Sequence, residues 1–285
     1  MTLLRLAAAV LVLAYAAILA LAIGCCPVRR WRRALAQWSV RTVCRSLLAA
    51  LGITRCHRGP RPVRGALLVA NHLSWLDIVA SLAEWQCTCV AKREVRSWPV
   101  IGSIGEALGV VWIDRARPRD LLRVIPAMTQ ALSDGRIVLL FPEGTTSDGR
   151  VLLPFRSALF EAAVRGALPV VPLAISASAV AGDVDALAWY GSESLVANLW
   201  RVASLERIQL TLHVGAPVST NGDRKRAARD AHREVARRYD AEMLRPALVS
   251  ERRARSRISG RSTALIVRSL HNARSFPDTR RCSIP

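Results

Sequence analysis

The spacing of apolar positions changes character along the chain. From Leu6 to Ile23 the run LAAAVLVLAYAAILALAI carries no charge. At about 1.5 Å of rise per helical residue its length nearly matches a hydrocarbon core of roughly 30 Å, which predicts a membrane helix. Further on, short apolar runs alternate with helical patterns. Ala66 to Ala70, Thr88 to Ala91, Gly109 to Ile113, Arg136 to Phe141, Pro169 to Ile175 and Gln209 to Gly215 read as strands. Asp77 to Trp85, Asp120 to Ser133, Arg156 to Arg165 and Arg224 to Leu244 read as helices. Strand and helix in turn predict an α/β domain, a mixed and largely parallel sheet flanked by helices, with its site in the loops at the strand carboxyl ends. The expected division is an N-terminal membrane-anchoring helical segment over 1–52, a main domain over 53–245 and a basic tail over 246–285. That tail is rich in Arg and Ser with only Glu251 and Asp278 as acids, so it reads as disordered and drawn to membranes, with at most a short helix over Thr263 to Leu270.

The anchor admits more than one reading. Arg29, Arg30, Arg32 and Arg33 surround Trp31 just after the apolar run, against only Arg5 and the amino terminus before it. That bias places the rest of the chain in the cytoplasm, with Trp31 at headgroup level. Ala22-Ile23-Gly24-Cys25 faintly resembles a lipoprotein cleavage box, but the stretch is long for a signal and the arginines oppose export. In a two-helix anchor the run folds back with Ala34 to Leu51, where Leu35, Val40, Val43, Leu47 and Leu48 fall at helical spacing. Spanning and re-entrant geometries both remain open.

Composition narrows the partners. With 285 residues and 52% hydrophobic positions the chain can bury a sizeable core, which excludes a disordered protein. Lys and Arg outnumber Asp and Glu by 41 to 21, giving a formal charge of +20 and calling for an anionic partner: nucleic acid, a phospholipid surface or a phosphorylated substrate. The basic tail lacks the interleaved aromatics of a single-strand binder, which argues against nucleic acid. Seven cysteines, an odd number without metal-site spacing near histidine, read as reduced thiols, with acylation of Cys25 and Cys26 as an option.

The chemistry gathers in three loops. Residues 71 to 77 read NHLSWLD and follow the first strand. Ser74 and Asp77 have capping-box spacing, which alone explains the aspartate. The same turn lets the Asp77 carboxylate meet one nitrogen of His72 and leave the other free as a base. The strand ending at Ile113 delivers Asp114 and Arg115, and an arginine there suits a phosphate held bidentately, whereas Arg117 and Arg119 read as surface residues. The strand ending at Phe141 runs into Pro142-Glu143-Gly144-Thr145, where Pro142 stops the ladder and Gly144 admits close approach of a ligand. These last two loops are expected to end neighbouring strands.

Four blocks carry a resemblance to a known family. Asn71 to Asp77 resembles the NHxxxxD motif of the glycerolipid acyltransferases; Gly109 to Arg115, Phe141 to Thr145 and Val170 to Ile175 resemble their second, third and fourth blocks, in order, over roughly residues 55 to 220. The match is to the bacterial 1-acylglycerol-3-phosphate acyltransferase type. It implies transfer of a fatty acyl group from acyl-CoA or acyl carrier protein to a lysophospholipid hydroxyl at the cell inner membrane, without a cofactor or metal. It also implies His72 and Asp77 as the catalytic pair, and Arg115, Glu143, Gly144 and Thr145 as substrate-binding residues.

One position departs from the pattern. The family often has arginine after Glu-Gly-Thr, and this chain has Thr146. Lys92, Arg150 and Arg156 are the candidate replacements, and a different acceptor, lyso-ornithine lipid, is the alternative. A membrane thioesterase using the same His–Asp pair is a further reading, but it leaves Arg115 and Glu143 without a purpose. Ser74 lacks the G-x-S-x-G elbow of a nucleophile and reads as a helix cap.

Overall fold

Leu67–Ala70 (β2) is buried at all four positions, and a strand covered on both faces belongs in mid-sheet. The computed structural model, which describes residues 1–98, 100–178 and 187–239, places it there. Strand β2 pairs in parallel with Ile137–Leu140 (β5) on one side and Val170–Ser178 (β6) on the other. Beyond β5 come Cys87–Lys92 (β3) and Val111–Ile113 (β4); beyond β6 come Ile208–Val214 (β7) and Ile53–Arg58 (β1). The order is β1-β7-β6-β2-β5-β3-β4, and every pairing is parallel except β6 with β7. The carboxyl ends of β2, β3, β4, β5 and β6 therefore share one edge.

Alternation along the strands builds two cores. Leu68, Ala70, Leu139, Leu173 and Ile175 point to one face. They pack with Thr2–Cys25 (α1), Arg29–Ala50 (α2), Trp75–Glu84 (α3), Ile101–Leu108 (α4) and Leu195–Ser204 (α7). Leu67, Val69, Val138 and Leu140 point to the other, against Leu121–Ser133 (α5), Glu161–Arg165 (α6) and the helix of residues 224–239 (α8). The result is a three-layer α/β domain with a mixed, mostly parallel sheet.

Helices α1 and α2 form an antiparallel hairpin. Ala9, Ala16 and Ile23, seven residues apart, are buried, while Leu4, Leu11 and Ile18 on the opposite side are exposed. Arg5 donates to the carbonyls of Ala203 and Leu205 at the end of α7, and its guanidinium lies against Gly52, just past α2. Among the described residues, α1 is the one helix long and apolar enough to cross a membrane. Its partner α2 carries Arg30, Arg32, Arg33, Arg41 and Arg45 and contributes Leu47, Leu48 and Leu51 to the main core.

The sequence reading holds for the six expected strands and for the helix over Asp120 to Ser133, which is α5, and differs at other elements. Strand β1 escaped it because ITRCHR is polar, as an edge strand can be. Helix α4 escaped it because its glycines weaken a helical pattern; Gly102 is there because a side chain would strike the Arg96 carbonyl. The stretch from Arg156 to Arg165 is a short 3-10 turn followed by α6, and α3 begins at Trp75, ahead of Asp77. The expected helix to Leu244 is described as far as residue 239, and the tail from Pro246 lies outside the described residues.

Candidate active site

The loop after β2 is organised by Asp77. Its Oδ2 accepts from the backbone N–H of Leu73 at 2.6 Å and of Ser74 at 2.8 Å, and lies 2.9 Å from His72 Nδ1. One oxygen thus caps α3 and fixes an imidazole. The capping reading and the catalytic reading describe the same atom. Asp77 is buried, and His72 Nε2 has no hydrogen-bond partner among the described residues. The imidazole lies flat on Phe141, with ring centroids 3.9 Å apart. Asn71 completes the loop by mimicking a strand: its amide exchanges two 2.8 Å hydrogen bonds with the backbone of Ile175 on β6.

The loop after β5 supports this one from behind. Glu143 is 3% exposed, and its Oε1 accepts the backbone N–H of His72 at 3.0 Å. Burial pushes its carboxyl up to about 8, and the Asp77 charge acts in the same direction. Ser147 N–H donates to the His72 carbonyl at 3.1 Å, so the two loops are tied on both sides of the histidine.

A cleft of about 180 Å³ opens beside Phe141, between the ends of β3, β4 and β5. Val90, Ile113, Leu121 and Leu159 form apolar walls, and Arg115 and Arg156 supply charge. Arg115 Nη1 donates to the Gly144 carbonyl at 2.7 Å. Gly144 sits at φ 77°, in the left-handed region, with Arg156 packed where a side chain would be. Arg115 and Arg156 thus meet at Gly144 and both line the cleft, where they can take up an anion; burial and the neighbouring Arg156 disfavour the charge on Arg115. The strands that deliver Arg115 and Glu143 are not neighbours, contrary to expectation. Strand β3 lies between β4 and β5, and the length of the arginine closes the gap.

A family model described as Acyltransferase matches residues 54–176. The chain is 35% identical over 189 residues to the 1-acyl-sn-glycerol-3-phosphate acyltransferase of Neisseria gonorrhoeae, covering 66% of this chain and 72% of that relative. It is 33% identical over 207 residues to the lyso-ornithine lipid O-acyltransferase of Rhizobium meliloti, covering 68% of each. The chain belongs to this acyltransferase family. Its fold is also similar to that of the 1-acyl-sn-glycerophosphate acyltransferase of Thermotoga maritima, at a TM-score of 0.62 and 22% identity over 83% of this chain and 93% of that one.

Within this acyltransferase the expected site residues divide. His72 and Asp77 are joined directly, and Arg115 and Gly144 meet at the cleft. Glu143 is turned inward onto the His72 backbone. Thr145 is exposed, its hydroxyl 3.4 Å from the Thr146 carbonyl. Lys92 is exposed at the end of β3 and pairs with Glu94 at 3.3 Å rather than lining the cleft. Of the three candidates to stand in for the arginine absent at Thr146, Arg150 pairs with Asp148 and Arg156 alone lines the cleft. Sequence reasoning missed the Phe141 stack and the Asn71 bridge, although both residues lie inside the quoted motifs. Cys25, Cys26, Cys44, Cys87 and Cys89 are free thiols, and no group of His, Cys, Asp and Glu among the described residues is arranged for a metal.

Proposed function

We propose that this acyltransferase moves a fatty acyl group from acyl-CoA or acyl carrier protein to the free hydroxyl of 1-acyl-sn-glycerol-3-phosphate, giving phosphatidic acid. The observation that carries the reading is His72 Nδ1 at 2.9 Å from Asp77 Oδ2, with Nε2 unpartnered among the described residues. In the reaction Nε2 takes the proton of the acceptor hydroxyl as its oxygen attacks the thioester carbonyl. Asp77 steadies the imidazolium and holds the tautomer. The tetrahedral intermediate collapses with loss of the thiolate, which takes the proton back, so no acyl-enzyme forms. Arg115 and Arg156 hold the acceptor phosphate, and Glu143 positions His72 from behind.

The hairpin of α1 and α2 holds the protein on the cytoplasmic face of the inner membrane. Its arginine-rich α2 runs antiparallel to α1 and packs on the domain, which favours a re-entrant anchor over a span. The anionic surface attracts the basic chain. Lyso-ornithine lipid is the second reading of the acceptor, favoured by Thr146 and by the similarity to the Rhizobium enzyme. Purified protein given one acyl donor and a panel of lysolipids tests both. Turnover with lysophosphatidic acid supports the first reading, turnover confined to lyso-ornithine lipid the second, and acyl release without any acceptor refutes both.

A further inference from the structure

The opposite edge of the sheet carries a second concentration of charge. A recess of about 620 Å³ opens there between α2, the turns entering β3 and β5, and the segment joining β1 to β2. Four guanidiniums line it, those of Arg41, Arg61, Arg64 and Arg136, against the carboxylates of Glu84 and Asp134. Among the described residues its one ion pair is Arg136 with Asp134, stretched to 3.9 Å. Two donors in the lining lack acceptors: Trp85 is 5% exposed and its indole N–H is unpartnered, and so is the Arg136 Nε–H. Buried donors without acceptors are rare because each forfeits its hydration, so their meeting in one recess marks a place for an anion.

The recess is held open by its own framework. Arg41 donates to the carbonyls of Ala83 and Glu84 at the carboxyl end of α3, at 3.4 Å each, and Arg45 to Ala83 at 3.0 Å. These bonds fix one wall of α2 against α3. On α2 the lining residues Gln37 and Arg41 adjoin Trp38, and Trp31 lies seven residues before Trp38 on the same face. Both indoles are more than half exposed, at 62% and 55%. Exposed tryptophans bordered by arginines suit the headgroup layer, and the apolar outer face of α1 lies alongside in the same hairpin.

We propose that this recess binds the phosphate of an acidic membrane phospholipid, at a site separate from the reaction cleft. The lipid orients the protein on the bilayer, and the site acts whatever acceptor the enzyme uses.

The test uses the full chain, with binding as its readout. Arg61→Gln with Arg64→Gln should weaken attachment to phosphatidylglycerol-containing vesicles about thirtyfold, as two arginines near an anionic surface should. Removing the same charge from α8, by Arg226→Gln with Arg229→Gln, should weaken it less than about threefold. Trp85→Phe keeps the charge and an aromatic ring, and should weaken binding of dihexanoyl phosphatidylglycerol about fivefold through the lost N–H. Activity in neutral detergent micelles should stay unchanged in the Arg61/Arg64 variant, which separates this site from the cleft. Equal losses from both arginine pairs would reduce the effect to diffuse attraction and overturn the proposal. So would an unchanged Trp85→Phe affinity, or inorganic phosphate displacing the lipid at equal concentration.

Discussion

The backbone N–H of His72 donates to Oε1 of Glu143 at 3.0 Å, joining residues 71 positions apart. The carboxyl is buried, does not line the cleft and touches the peptide of His72. On the proposed reading it holds the loop, and an amide can do the same. Glu143→Gln should keep transfer within about tenfold of the parent, while Glu143→Ala, which leaves the His72 N–H buried without an acceptor, should lower both stability and turnover. A Gln variant as inactive as the Ala variant would show that the negative charge itself is needed.

The same carboxyl gives a pH dependence of stability. Its value rises from 4.5 to about 8 on folding, so between those limits the folded protein keeps a proton that the unfolded chain has lost. Its contribution is fully present below about 4.5 and is lost as pH rises through about 8. Each unit of displacement is worth about 1.4 kcal/mol, so the span is on the order of a few kcal/mol. Denaturant unfolding at pH 5 and pH 8.5 should show the parent losing stability and Glu143→Gln losing much less. Identical slopes in the two proteins would remove Glu143 as the cause.

Asp77 Oδ2 serves cap and imidazole together, so its substitutions mix two effects, whereas those of His72 do not. His72→Ala should reduce transfer by roughly a hundredfold to ten-thousandfold at unchanged stability, the usual range for a lost general base. Asp77→Asn should impair turnover and also lower stability by about 1 kcal/mol through the cap. Near-normal turnover of His72→Ala in a thioester assay would refute the mechanism.

What the sequence made legible follows from how local each signal is. The buried strand β2 shows as a continuous apolar run, and the His72–Asp77 pair shows because both partners lie in one turn. The inward aim of Glu143 is invisible in FPEGTTS, because it depends on β5 lying next to β2, a long-range fact. Lys92 and Arg156 looked alike as spare cations. Only the strand order and the return of residues 147–156 across the site separate them, with Arg156 N–H donating to the Pro142 carbonyl at 2.9 Å.

The outer face of α1 gives a membrane test that leaves its packing intact. Leu11 and Ile18 are exposed, while Ala9 and Ala16 form the seam. Leu11→Lys with Ile18→Lys should release the protein from neutral vesicles in a flotation assay, since a charge at such depth costs about 2.5–3.5 kcal/mol. Retention of the double variant on the vesicles would mean that this face does not enter lipid.

Arg115 and Arg156, which meet at Gly144 in the cleft, make the acceptor testable. Burial and the neighbouring Arg156 disfavour the charge on Arg115, a state that an incoming phosphate relieves. Losing one charged hydrogen-bonding partner removes roughly 1.5–3 kcal/mol, so Arg115→Ala and Arg156→Ala should each raise the apparent KM for lysophosphatidic acid about tenfold to a hundredfold. Arg115→Lys should recover part of this, because an ammonium keeps the charge without the planar fork. Apparent affinity for the acyl donor should hardly change in any of the three. Thr146→Arg discriminates between the two acceptors. It restores the arginine after Glu-Gly-Thr and should improve use of lysophosphatidic acid if phosphate is the natural ligand of the pair. In an enzyme built for lyso-ornithine lipid the added cation meets no phosphate, and use of that acceptor should fall or stay level. If Arg115→Ala weakens acyl-donor binding and leaves the acceptor KM unchanged, the cleft belongs to the donor and the assignment of both arginines is reversed.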